Sequence, residues 1–142
     1  MQDKYFVPLM KKISEEIDRK AMKKLKKYRL TLTQGRVILF LAERMDKRAT
    51  QKELEEYLQV SHPTTVTIVK SMEAKNIVKT SQDDRDRRMK NVTLIWGDED
   101  IYQELRENAQ SMEIGLLEGF SEEEQRQFYS YLKRIYQNAV MR

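Results

Sequence analysis

The hydrophobic positions of this chain change period twice, and each change marks an element boundary. Between residues 4 and 28, Phe6, Leu9, Met10, Ile13, Ile17, Ala21 and Leu25 recur at threes and fours, the spacing of one face of an α-helix. Pro8 is expected to interrupt that helix early. So long a stripe on a terminal helix, with no obvious local partner, favours packing against another subunit. Thr31-Leu32-Thr33 ends the element, with Thr33 placed to cap the next helix. Val37 to Leu41 are apolar nearly all round, which predicts a helix in the middle of the fold. Arg48-Ala49 is the one place for a short strand before Thr50.

Thr50 with Glu53 three residues on is a capping box, each side chain satisfying a free N–H of the other. Leu54 and Leu58 give the helix behind it one apolar stripe. Gln59 to His62 are too short a join to let the next helix drift away, so the pair should form a helix-turn-helix. The second helix is expected to start at Pro63, capped by Ser61 or His62. Thr65, Ile68, Val69 and Met72 share its inner face. Pro63, Val66, Thr67, Lys70 and Ala74 point outward, and no carboxylate lies among them. A small, mildly polar, acid-free surface suits entry into a DNA major groove.

After Asn76 the period becomes two. Ile77-Val78-Lys79-Thr80 and Asn91-Val92-Thr93-Leu94-Ile95 are β-branched runs. Met89 apart, every residue from Asp83 to Lys90 is charged, so the stretch between the strands is a solvated tip. A hairpin directly after a helix-turn-helix makes a winged helix. Gly97-Asp98-Glu99-Asp100 closes the wing and opens a helix whose stripe is Ile101, Leu105, Ala109, Met112, Leu116 and Leu117. Ser121 with Glu124 is a second capping box, and Phe128, Tyr131, Leu132, Ile135 and Ala139 form the apolar face of the last helix. The fold class is therefore mainly α with a small β-hairpin wing. Residues 1–30 are an N-terminal dimerisation helix, 31–96 a winged helix-turn-helix core, and 97–142 C-terminal dimerisation helices.

Charge sharpens this picture. The net charge is +4 over 142 residues, but residues 1–30 carry ten Lys/Arg against four Asp/Glu (+6), residues 31–96 twelve against nine (+3), and residues 97–142 five against ten (−5). One part of the surface thus suits an anion, nucleic acid first. The Lys23–Lys27 cluster suits a helix C-terminus. The chain contains no cysteine, which excludes disulfides, Cys-ligated metal and a thiol switch. No apolar run approaches the roughly 18 residues of a membrane span, and no signal peptide is evident, so the expected location is the cytoplasm.

The run VSHPTTVTIVKSMEAKNIVKTSQDDRDRRMKNVTL, residues 60–94, resembles the heart of the MarR family of transcriptional regulators. Its most specific part is Asp86-Arg87-Arg88 followed by Lys90, Val92 and Leu94. The resemblance extends upstream to Leu32-Thr33-Gln34-Gly35-Arg36-Val37 and downstream to Phe120-Ser121-Glu122-Glu123-Glu124. Where members often carry arginine on the outer face of the recognition helix, this chain has Thr67 and Ser71, which bears on the operator sequence. Where they have glycine before the first wing strand it has Asn76, which also tolerates the left-handed conformation.

The resemblance implies a homodimer on pseudo-palindromic double-stranded DNA, acting as a repressor, with half-sites roughly 34–36 Å apart. Recognition helices would enter major grooves and wings minor grooves. Thr64, Val66, Thr67 and Lys70 would face the major groove, with Val66 against a thymine methyl and His62 and Pro63 at its mouth. Arg88 would enter the minor groove, oriented by Asp86, with Arg85 and Arg87 as the alternative insertions. Members are commonly released by small aromatic, anionic effectors, and Tyr28, Phe40 and Trp96 are candidate crevice residues, although core packing accounts for them more simply.

Enzyme chemistry finds no support. His62 is the only histidine and has no Cys or Ser–Asp pattern around it. No phosphate loop, HExxH or nucleophile elbow occurs. No metal or cofactor site is expected, and the eight methionines read as ordinary core. The alternative to DNA binding is a winged-helix protein-interaction module.

Overall fold

The computed structural model describes residues 4–141, so the first three residues of the expected N-terminal segment lie outside the described residues. The chain divides into two compact units, one ending at Asn108 and the other beginning at Ala109.

The first unit opens with α1 (Phe6–Leu25). Pro8 does not interrupt it. As the third helical residue, Pro8 sits where backbone N–H groups have no intrahelical acceptor, so its missing donor costs nothing. The expected end at residue 28 is also refined. The α-helix stops at Leu25 and tightens into one 3₁₀ turn, Lys26–Tyr28, before Arg29 turns left-handed at φ 56°. Helix α2 (Leu32–Ala42) begins two residues earlier than a Thr33 cap would allow. Thr31 is the cap instead, its Oγ1 accepting from Gln34 N–H while Gln34 returns a bond to Thr31 N–H. Gly35 belongs to the α1–α2 contact, where a Cβ would meet Leu25 Cδ1 at 3.0 Å.

Strand β1 (Arg48–Thr50) leads straight into α3 (Gln51–Leu58) through the Thr50–Glu53 capping box. Arg44 ties this junction down, donating to Arg48 O at 2.9 Å and pairing with the Glu53 carboxylate. Gln59 ends α3 in the left-handed region, and α4 (His62–Ala74) follows, one residue ahead of the expected start at Pro63, with Ser61 as its cap. Strands β2 (Val78–Gln82) and β3 (Lys90–Leu94) complete a three-stranded antiparallel sheet in the order β1-β3-β2. Val78 pairs with Leu94, Thr80 with Val92 and Gln82 with Lys90; on the other side Ala49 pairs with Val92. The sheet is thus three strands wide over the middle of β3, Asn91–Thr93, and two strands wide at either end.

The core of this unit is the inner faces of α2, α3 and α4 on the sheet. Val37, Ile38, Leu41, Leu54, Val69, Met72, Val78 and Val92 are buried, with the Thr65 hydroxyl turned to Ser61 O at 3.0 Å. Of the α1 stripe only Leu25 is buried; Phe6, Leu9, Met10 and Ile13 are exposed. Helix α5 (Glu99–Leu116) starts in this unit and crosses the boundary. Its first turn packs differently from the expected stripe. Tyr102, not Ile101, is the fully buried residue, and its hydroxyl donates to Trp96 O. The turn at Gly97 (φ +87°) makes this possible, since a Cβ there would meet Tyr102 Cε1 at 3.2 Å.

In the second unit the chain turns at Gly119 (φ +86°) into α6 (Glu122–Met141). The Ser121–Glu124 box is present, with Ser121 N–H donating to Glu124 at 2.8 Å and Glu124 N–H to Ser121 Oγ at 3.1 Å. Phe128, Tyr131 and Ile135 lie exposed along α6, with Leu132 half-buried. Among the described residues, no helix is long and apolar enough to cross a membrane.

Candidate nucleic-acid interface

Two elements carry the candidate residues. Helix α4 is held from below: Thr65, Val69 and Met72 fill the core, so its opposite face is fixed outward by packing. His62, Pro63, Thr64, Thr67, Lys70 and Ser71 are exposed and Val66 is half-buried. The hydroxyls of this face are directed. Ser61 Oγ accepts from Thr64 N–H and donates to Thr64 Oγ1 at 2.9 Å, which leaves the Thr64 proton free for an outside acceptor. Thr67 donates to Pro63 O at 3.1 Å, so it offers lone pairs and a methyl outward. His62 Nδ1 contacts the Glu55 carboxylate on α3, a partner that sequence spacing did not reveal because the two residues lie on different helices.

The second element is the tip between β2 and β3. Its loop is closed by backbone bonds, Asp83 N–H to Met89 O and Met89 N–H to Asp86 O, each 2.9 Å. Asp86 is the organising residue. Its Oδ1 accepts the Arg88 N–H at 3.0 Å and Arg88 Nε at 3.2 Å, and its Oδ2 accepts from the Arg88 terminal nitrogen at 3.3 Å. The guanidinium beside it, then the backbone N–H, hold the Asp86 carboxyl below its usual range. Arg88 is fixed at its fork yet its side chain remains 91% exposed. Arg85 and Arg87 are also exposed, and no carboxylate of this loop holds their guanidinium groups. The structure therefore brings Asp86 and Arg88 together and separates them in kind from the other two arginines.

Two features of the surroundings were not legible in sequence. Glu104 on α5 pairs with Lys27 Nζ and accepts from the Tyr28 hydroxyl, and those two contacts hold its carboxyl below the usual range. Tyr28 in turn meets Trp96 edge-on, with centroids 6.2 Å apart, whereas Phe40 stacks on Tyr57 at 4.3 Å. Tyr28, Phe40 and Trp96 pack against the core cluster.

Residues 30–89 match the model of the MarR family. Among curated proteins, none matches this sequence. Solved structures do. The complex of S. aureus MepR with DNA aligns with 94% of this chain and 98% of the MepR chain, at TM-score 0.86 and 26% identity. MepR from S. aureus in its DNA-binding conformation covers 95% and 98%, at TM-score 0.83 and 26% identity. The transcriptional regulator PA3341 covers 97% and 100%, at TM-score 0.80 and 27% identity. Capped helix, outward-facing second helix and charged hairpin thus follow in the order found in such regulators: residues 30–89 carry the MarR-family match, and the fold is that of winged-helix transcription regulators such as MepR.

Proposed function

We propose that two copies of this chain bind one pseudo-palindromic duplex in the cytoplasm and repress transcription from it, with release by a small aromatic or anionic effector. The observation that carries the DNA-binding part is the Asp86–Arg88 fork. A guanidinium held by both oxygens of one carboxylate and otherwise bare to solvent has already lost much of its rotamer freedom. It is suited to a narrow, electronegative minor groove. Arg85 and Arg87 serve neighbouring phosphates.

Helix α4 supplies the major-groove contacts. Thr64 donates to a base acceptor or a phosphate, Thr67 accepts from a base amino group, Val66 meets a thymine methyl, and Lys70 takes a phosphate. His62 and Pro63 lie where the backbone of the duplex passes the helix start. That S. aureus MepR was solved bound to DNA supports this use of the shared fold. The dimer is supported by the apolar residues of α1 and of α6 that a single copy leaves in water. Effector release and repression rest on family habit.

The test is selection of bound duplexes from a genomic pool, followed by Arg88→Ala on the recovered site. Affinity should fall by roughly 1–3 kcal/mol, with the sedimentation behaviour of the protein unchanged. A pool that yields no common palindrome, with binding insensitive to salt, would instead make the fold a protein-interaction module.

A further inference from the structure

Helix α4 contains one acidic residue, Glu73. An acid on a helix that meets DNA is repelled by phosphates unless something takes up its charge. Here the charge remains but the side chain is held: the Thr80 hydroxyl of β2 donates to Glu73 Oε2 at 3.0 Å, and both residues are half-buried. The position of this bond in the sheet gives it leverage. The recognition helix passes into β2 through a single left-handed residue, Asn76, with Asn76 N–H bonded to Glu73 O and Ile77 N–H to Met72 O, each at 2.9 Å. Beyond that turn, β1 pairs β3 only over Asn91–Thr93, and Thr80 pairs with Val92 inside that stretch. Thr80 therefore lies at the middle of the three-stranded part of the sheet, on the first strand of the wing and opposite the Val92 that Ala49 also pairs. The Glu73–Thr80 bond is a side-chain tie from the recognition helix to the strand that leads into the wing tip.

We propose that Glu73 and Thr80 form the strut that sets the wing's angle to the recognition helix, so that Arg88 and α4 reach their grooves in register. They are positioning residues, acting on DNA through Arg88. The inference rests on the DNA-binding function proposed above. Geometry favours it: the bond joins the last turns of the recognition helix directly to the first wing strand, across the single left-handed residue Asn76. A hydroxyl-to-carboxylate bond is of the charge-assisted kind.

The experiment compares wild-type protein with Thr80→Val, which keeps shape but loses the hydroxyl, and Thr80→Ser, which keeps it. The probe is the duplex that wild-type protein selects from a random-sequence pool. Thr80→Val should weaken binding about tenfold, the scale of one such bond, and Thr80→Ser should bind like wild type. In the Arg88→Ala background, Thr80→Val should cost no more than Arg88→Ala alone. An equal loss in both backgrounds, or no loss in either, overturns the strut. A second readout needs no DNA: amide hydrogen exchange at residues 83–89 should speed up in Thr80→Val and stay at the wild-type rate in Thr80→Ser. Unchanged exchange in Thr80→Val also overturns it. If the pool yields no common site, the proposed function fails and carries this inference down with it. That outcome is distinct, because the failure then appears in the wild-type protein.

Discussion

Arg88 differs from its neighbours by one short-range contact, and that difference is testable one residue at a time. Asp86→Asn keeps the loop's Asx geometry but loses the charge that holds the guanidinium. Its affinity for a selected duplex should fall severalfold, short of the loss in Arg88→Ala, while the thermal midpoint stays put, because an exposed pair adds little to stability. The pH dependence has a definite sign. A carboxylate whose pKa is lowered in the folded protein keeps its contact above the ordinary carboxylate range and loses it as pH falls through the lowered value. Wing order, followed by the Arg88 amide signal in NMR, should therefore persist at pH 5 and decay only under stronger acid. In sequence, the family resemblance singled out Asp86 with Arg88, whereas spacing alone left Arg85 and Arg87, both adjacent to Asp86, as alternatives. The pairing of His62 with Glu55 was not readable, since the turn at Gln59 decides which residues of α3 and α4 face each other.

At the scale of elements, capping explains what was legible. Thr50–Glu53 and Ser121–Glu124 are i, i+3 pairs whose partners lie within one turn, so their geometry follows from local sequence. The same logic fails where two residues could cap: Thr31 and Thr33 both suit, and Gln34 decides for Thr31 by returning the reciprocal bond. Thr50→Ala should cost about 1 kcal/mol of unfolding free energy in urea, since α3 would lose its first-turn acceptor. Glu53 adds a pH signature. The Thr50 N–H, followed by Arg44, holds its carboxyl below the usual carboxylate range. Its contribution is complete above the ordinary carboxylate value and disappears as pH falls through the lowered one. Glu53→Gln should accordingly flatten the stability–pH curve on the acid side, from the ordinary carboxylate range downward, and leave the alkaline side as it is.

For the whole molecule, the stripe read on the N-terminal helix is real but buries almost nothing within one chain. Phe6, Leu9 and Ile13 on α1 and Phe128, Tyr131 and Tyr136 on α6 are all more than two-fifths exposed. Surfaces of this kind mark association sites. Ile13→Glu and Tyr131→Glu together should convert the dimer proposed above to monomers in sedimentation equilibrium, with the helix content of the winged unit retained. They should also reduce affinity for a palindromic duplex to that for a half-site. If the double variant sediments as wild type does, these faces are not the dimer contact.

Period, caps and composition in the sequence determined the order of helices and strands, the outward face of α4 and the charged tip of the wing. These depend on neighbours within about one helical turn or one strand pair, where covalent geometry leaves few alternatives. Only the tertiary structure decided which of two adjacent residues is buried. Tyr102 displaced Ile101 because the Gly97 turn carries its ring under the chain and its hydroxyl to Trp96 O. It likewise decided that Glu73 meets Thr80, that Glu104 reaches Lys27 and Tyr28, and that β1 pairs the middle of β3. Such contacts join residues that chain folding brings together at long separation, and no local pattern encodes their distance.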